Sequence, residues 1–178
     1  MLTVSVLVGN PKPNSRTARI ATRLAETLLP PNSYDLTVVD LAGYAAHIFD
    51  WPSARMATLN SQVAESDLLV AASPTYKGSY TGLLKAFLDR YPHLGLAGVV
   101  AIPVMTGSDP RHAMAPDVAL RPVLVELGAI VPTPGLFFVM NEMGRLDRVL
   151  GDWVVDNVAR LGGDLNDVVS ATLRREPS

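Results

Sequence analysis

The chain has 178 residues, with 15 Lys and Arg against 17 Asp and Glu, a formal net charge of −2, and 48% hydrophobic against 18% charged residues. Such a balance supplies a full core, excludes a disordered chain, suits one domain over 1–178, and offers no basic field for nucleic acid. With no cysteine, disulfides, Cys-ligated metal and a thiol nucleophile are excluded, and His47, His93 and His112 have no metal-ligand spacing, so no metal is expected.

Leu2 to Val8 is β-branched and apolar and stops at Gly9, the signature of a strand buried on both faces. It stands where a charged leader would stand, and no apolar window reaches about 18 residues, so the chain reads as cytoplasmic with no membrane partner. Ala21, Leu24, Ala25 and Leu28 share a helical face that starts after Asn14 and Ser15, both suited to cap it, and ends at Pro30-Pro31. Leu36 to Val39 is a second strand, Gly43 to Pro52 a loop, and Ala54 to Glu65 a second helix. A third strand runs from Leu68 to Ala72, followed after Gly82 by a helix carrying Leu84, Phe87, Leu88 and Tyr91. Gly98 to Met105 is the fourth strand. Leu120, Val123, Leu124 and Leu127 mark the next helix, where Pro122 either kinks it or sits in its first turn. Ile130 onward, with Leu136 to Val139, gives the fifth strand, and Leu146 to Leu161 a helix that Gly162-Gly163 ends, with a short last helix from Asp164.

Strict alternation of strands and helices predicts an α/β fold, a doubly wound five-stranded parallel sheet of flavodoxin-like order 2-1-3-4-5. Its topological switch point lies between the first and third strands, which makes the loops after Val8 and Ala72 the ligand site.

The first loop, Gly9 to Thr17, opens into a helix and brings together backbone N–H groups, the hydroxyls of Ser15 and Thr17 and the cations of Lys12 and Arg16. A terminal phosphate calls for such a set, although a Pro-rich turn with solvated cations has the same composition. Neither the triphosphate loop G-x-x-x-x-G-K-[ST] nor the dinucleotide fingerprint G-x-G-x-x-G is present. The second loop, Ser73 to Gly82, is polar and carries Tyr76, Lys77 and Tyr80, read either as one side of a flat-ring site or as ordinary surface residues. A phosphate loop facing such a loop points to FMN.

Gly9 to Thr17, Ser73 to Lys85, Thr106-Gly107 and Ala119 to Leu124 together resemble the NAD(P)H-dependent FMN reductase family, above all the reductase components of two-component alkanesulfonate monooxygenases. The resemblance extends to about Val139; the last forty residues carry no such motif. It implies that Ser15, Arg16 and Thr17 hold the FMN phosphate, with Asn10 and Lys12 where relatives carry Ser and Arg. Lys12 lacks the bidentate fork of Arg, which implies a weaker grip. It also implies that Pro74, Thr75, Tyr76 and Lys77 lie along the isoalloxazine and Thr106, Gly107 and Ser108 along its polar edge. There, backbone N–H groups stabilise the reduced ring, a role open to Ser108 if its φ is negative. Val118 departs from the aromatic or histidine of close relatives and reads as a helical residue at a subunit contact.

The implied reaction is hydride transfer from NADPH or NADH to FMN, which needs no catalytic acid or base from the protein. The resemblance further implies a partner flavin-dependent monooxygenase as a recipient of the reduced flavin. Two rival readings are an FMN-containing quinone or azo reductase and, less favoured, a flavodoxin-type electron carrier, for which a charge of −2 offers little acidic steering. Asp109 and His112, near the expected flavin edge, read either as substrate contacts or, more favoured, as satisfied surface residues. The apolar helix after Thr81 and the family's habit of completing the site between subunits imply a homodimer or homotetramer.

Overall fold

The computed structural model describes residues 1–162. Five parallel strands, β1 (Leu2–Val8), β2 (Tyr34–Asp40), β3 (Leu68–Pro74), β4 (Val100–Gly107) and β5 (Leu136–Val139), form one sheet in the order β2-β1-β3-β4-β5. The order and the parallel sense agree with the sequence reading. Among the described residues, no helix is long and apolar enough to cross a membrane.

Alternation along the strands divides the core into two layers. Val4, Val6 and Val8 of β1 and Leu68, Val70 and Ala72 of β3 face α1 (Arg16–Leu28) and α5 (Leu146–Asn157). Leu7, Leu69 and Ala71 face α2 (Ala54–Ala64), α3 (Gly82–Leu88) and α4 (Arg121–Glu126). Buried on both faces, the central strands contain few polar residues, and Ser5 is accommodated because its hydroxyl receives a hydrogen bond from Ser66 at 2.7 Å.

Several boundaries differ from those the sequence suggests, each for a local reason. Within the expected loop after β2, Leu41–His47 forms 3-10 turns capped by Asp40, whose carboxylate accepts the Ala42 N–H. Pro122 lies in the first turn of α4, and a π turn over Pro116–Leu120 precedes it, so the helical path continues without a regular i−4 bond at the proline. Ile130 makes only a single bridge to Val100, and β5 begins at Leu136. Asn157 ends α5 early, followed by a 3-10 turn over Val158–Arg160. The last helix expected from Asp164 lies outside the described residues.

At the switch point the chain leaves β1 through Gly9, whose N–H donates to the Ala72 carbonyl of β3 at 2.7 Å. Thr81 caps α3 by accepting the Leu84 N–H and simultaneously donates its hydroxyl hydrogen to the Gly9 carbonyl. A Cβ at Gly9 would overlap the Leu84 side chain, so only glycine lets α3 come this close. Gly9→Ala is expected to destabilise the fold by about 1–3 kcal/mol through overpacking, read as a lowered urea midpoint at unchanged slope.

Candidate functional site

Both loops reach the carboxyl edge of the sheet and enclose an open cleft of about 430 Å³ between the N-terminus of α1 and the ends of β3 and β4. Of the twelve residues singled out from sequence, eleven line it: Asn10, Lys12, Ser15, Arg16 and Thr17 from the first loop, Pro74, Thr75 and Tyr76 from the second, and Thr106, Gly107 and Ser108 from the end of β4. Lys77 does not. It occupies, with Gly78, the tip of a two-residue hairpin in which both have positive φ, 53° and 80°, while Tyr76 and Ser79 exchange backbone hydrogen bonds of 2.8 and 3.1 Å. Asn14 and Met140 also line the cleft. Asn14 (φ 51°) turns the chain into the helix, and its N–H donates to Asp40 at 3.2 Å. Met140 comes from the turn after β5, a contact that no local sequence signal announces.

Ser15 is the cap of α1: its hydroxyl accepts the Ala18 N–H at 3.1 Å and its carbonyl the Arg19 N–H. The N–H groups of Arg16 and Thr17 are left as free first-turn donors at the mouth of the cleft. Two cations, Lys12 and Arg16, line the cleft and no carboxylate does. Neither cation has an ion-pair partner among the described residues. The result is a local positive field on a chain of net charge −2, suited to a phosphate.

Two residues assigned to phosphate by resemblance have their side chains in use within the protein. Asn10 donates from Nδ2 to Thr17 Oγ1 at 3.1 Å and accepts the Lys12 N–H at 2.9 Å, which shapes the loop. Thr17, 1% exposed, shares a 2.9 Å hydroxyl contact with Thr106, also 1% exposed. That contact uses one of the two hydroxyl hydrogens, so the pair keeps one donor for whatever occupies the cleft. Thr75 carries a buried hydroxyl with no hydrogen-bond partner among the described residues. A buried hydroxyl without a partner costs about 1–3 kcal/mol, and a polyhydroxylated chain lying across the cleft would relieve it.

The polar edge is rigid. Thr75 donates its N–H to Thr106 O at 2.8 Å, and a Cβ at Gly107 would come within 2.9 Å of the Phe137 ring. Ser108 is not among the residues with positive φ, so the condition placed on it is met. Just beyond, Asp109 accepts from the Arg111 guanidinium and backbone, which holds its carboxyl down at about 2. Asp109 and His112 lie outside the cleft lining. Val118, 64% exposed, sits in the π turn that Arg121 fastens to the chain before β5, bonding Asp117, the Val131 carbonyl at 2.7 Å and the Thr133 carbonyl.

The geometry can be set beside known proteins. Residues 2–143 match the model of the NADPH-dependent FMN reductase family. FMN reductase (NADPH) of Escherichia coli K12 is 34% identical over 168 residues, covering 83% of this chain and 85% of that protein. The NADH-dependent FMN reductase SfnF of Pseudomonas putida is 31% identical over 167 residues, covering 84% and 90%. Among solved structures, an apo NADH:FMN oxidoreductase (EMOB) superposes with a TM-score of 0.73 at 29% identity, over 88% of this chain and 90% of that one. An oxidoreductase from Corynebacterium diphtheriae, 24% identical over 96% and 98% of the two chains, shares the fold with a TM-score of 0.78. The match over most of the chain, with the loops that form the cleft inside it, places the protein in the NADPH-dependent FMN reductase family.

Proposed function

We propose that this protein reduces FMN with NADPH or NADH and releases the reduced flavin, and that residues 1–178 form one FMN-binding domain. The observation that carries the reading is the cleft lining: two cations, free helix N-terminal donors and no carboxylate at one end, with polar hydroxyls and an aromatic at the other. FMN supplies the hydride acceptor when bound, and the nicotinamide the donor. The N–H groups of Arg16 and Thr17 with Lys12 and Arg16 bind the phosphate; Ser15 and Asn10 hold those donors in place. Thr75 and the Thr17–Thr106 pair offer hydroxyls to the ligand, while Pro74 and Tyr76 flank the ring and Gly107 and Ser108 its polar edge. Lys77, on the hairpin tip, is left to meet solvent or the incoming nicotinamide cofactor. No side chain is asked to move a proton; orientation and exclusion of water are the protein's share.

A flavin-dependent monooxygenase as the recipient is supported by the resemblance of the sequence motifs to the reductase components of two-component alkanesulfonate monooxygenases. An azo reductase reading has one observation behind it: the FMN-dependent NADPH-azoreductase of Staphylococcus saprophyticus is 31% identical over 94 residues, about half of each chain. A homodimer or homotetramer is supported by exposed apolar residues along one stretch, Met114 in the turn before the π turn, Val118 within it and Val125 on α4. Tyr91, in contrast, is satisfied within the chain, its hydroxyl donating to the Asn60 carbonyl at 3.0 Å and its ring meeting Phe87 edge-on.

Anaerobic mixing of FMN-loaded protein with NADPH is expected to bleach the flavin absorbance promptly, with FMN lost on gel filtration. Unbleached flavin would return the fold to electron carriage, and bleached flavin that stays bound would favour the azo or quinone reductase. Thr17→Val is expected to cost about 1–3 kcal/mol of stability and to weaken FMN binding, because Asn10 and Thr106 lose their shared partner; equilibrium unfolding and fluorescence titration read the two effects. Sedimentation at micromolar concentration should give a mass above the 19.0 kDa of one chain.

A further inference from the structure

A depression of about 710 Å³ shares no lining residue with the cleft at the strand ends. It lies at the far end of α3: Thr81 caps that helix at the cleft, and Arg90, two residues past Leu88, lines the depression. Ala54, Ala57 and Ser61 line it from α2, at a spacing that puts them on one helical face and with side chains small enough to leave that face open. Trp51 comes from the loop before α2. The Arg90 guanidinium lies 4.4 Å from the centre of the Trp51 ring and donates from Nη1 to the Ile48 and Asp50 carbonyls at 3.1 and 3.0 Å. An indole that is 70% exposed is thereby given a fixed seat. Among the described residues, no carboxylate lines the depression.

Two donors in this wall have nothing to donate to. Asn60, 9% exposed, lines the depression, and its Nδ2 has no hydrogen-bond partner among the described residues; neither has the buried Nε of Arg90. A buried donor left unpaired is unfavourable, and more so on a charged group. With Nη1 engaged by two carbonyls, the guanidinium edge that carries Nε is the one free to bind, and such an edge presents two parallel donors to a carboxylate. We propose that the depression binds a flat aromatic carboxylate, its oxygens on Asn60 Nδ2 and the Nε edge of Arg90, its rings against Trp51 and the alanine face of α2. The ligand supplies acceptors because both unpaired groups are donors, and it is an anion because no lining carboxylate offsets the Arg90 charge. Its body is flat and apolar because the rest of the wall is an indole and methyl groups. The exposed indole over Arg90 is the part of the wall that shifts as the carboxylate seats. The volume falls within the roughly 300–1,000 Å³ of small-molecule sites, room for two fused rings. None of this rests on the flavin reading of the cleft.

Calorimetric titration of the full chain with 2-naphthoate, with and without excess FMN, tests this, and 2-naphthamide serves as the uncharged match. One naphthoate per chain is expected, with the same Kd whether or not FMN is present, and naphthamide should bind at least about tenfold more weakly. Ala57→Leu fills the open face of α2 without touching a hydrogen bond and should abolish binding. Arg90→Lys keeps the charge but not the paired donors and should weaken binding about tenfold. A cooperative urea transition checks that each variant is folded, and the wild-type titrations decide the matter alone if one is not. No binding by the wild type overturns the inference, as does naphthamide binding equally well. Loss of binding on adding FMN overturns it too, since the compound then occupies the cleft. Unchanged binding by Ala57→Leu places the compound elsewhere and has the same consequence. So does a sedimentation mass that falls in Ala57→Leu, because the depression then holds a second copy of the chain.

Discussion

The site depends on a stitch of hydrogen bonds at Gly9. Its N–H is bound by the Ala72 carbonyl and its carbonyl by the Thr81 hydroxyl, so the loop that leaves β1 and the loop that leaves β3 are fixed to each other before any ligand arrives. The absence of a side chain at this residue is a steric requirement, because α3 approaches through the space a Cβ would fill. Thr81 serves the loop and the helix with one hydroxyl, donating to Gly9 and accepting from Leu84. A second bridge lies deeper: Asn10, Thr17 and Thr106 form a hydrogen-bonded chain from the first loop to the end of β4. Three consecutive spatial strands thus present their ends as one preorganised surface.

The electrostatics of that surface follow from where the acids go. Asp40 is engaged by the Ala42 and Asn14 N–H groups, and Asp109 is turned onto Arg111. Asp117 is taken up by Arg121 and the Gly135 N–H. Each carboxylate near the carboxyl edge therefore has backbone or guanidinium partners, which leaves Lys12 and Arg16 uncompensated beside the helix donors. A nearly neutral chain offers an anion site by this sorting of partners, not by net charge.

Strand order and the switch point were legible in the sequence because they depend on strong local signals, apolar runs that end at Gly or Ser-Pro and a polar loop opening into a capped helix, and eleven of the twelve residues singled out, several of them by family resemblance, come to line one cleft. The less legible features come from tertiary context. Met140 enters the cleft through the turn after β5, and nothing in its neighbours marks it. Lys77 looked like a ring contact by position in the motif, yet a two-residue hairpin with two positive φ values carries it to the tip. The π turn before Pro122 needed knowledge of how Arg121 ties two distant carbonyls. The hydroxyl of Thr17 looked available for phosphate from sequence, and only the packing of α1 on β4 shows it shared with Thr106.

That last difference bears on whether flavin is held or exchanged. On the proposed assignment, with Ser15 Oγ accepting the Ala18 N–H and Thr17 bridging to Thr106, the phosphate meets two backbone donors, the remaining hydroxyl hydrogen of Ser15 and two cations. Lys12 and Arg16 are both exposed, so salt screens their attraction over a Debye length of about 8 Å at physiological ionic strength. A helix N-terminus adds only about 0.3–1 kcal/mol to an exposed anion. On that assignment, rigid loops and the buried hydroxyls of Thr75 and Thr106 orient the flavin, while its phosphate is held largely by groups that water and salt compete with. Precise placement combined with a screened anchor is the physical arrangement expected of an enzyme whose flavin arrives as a substrate and leaves as a product.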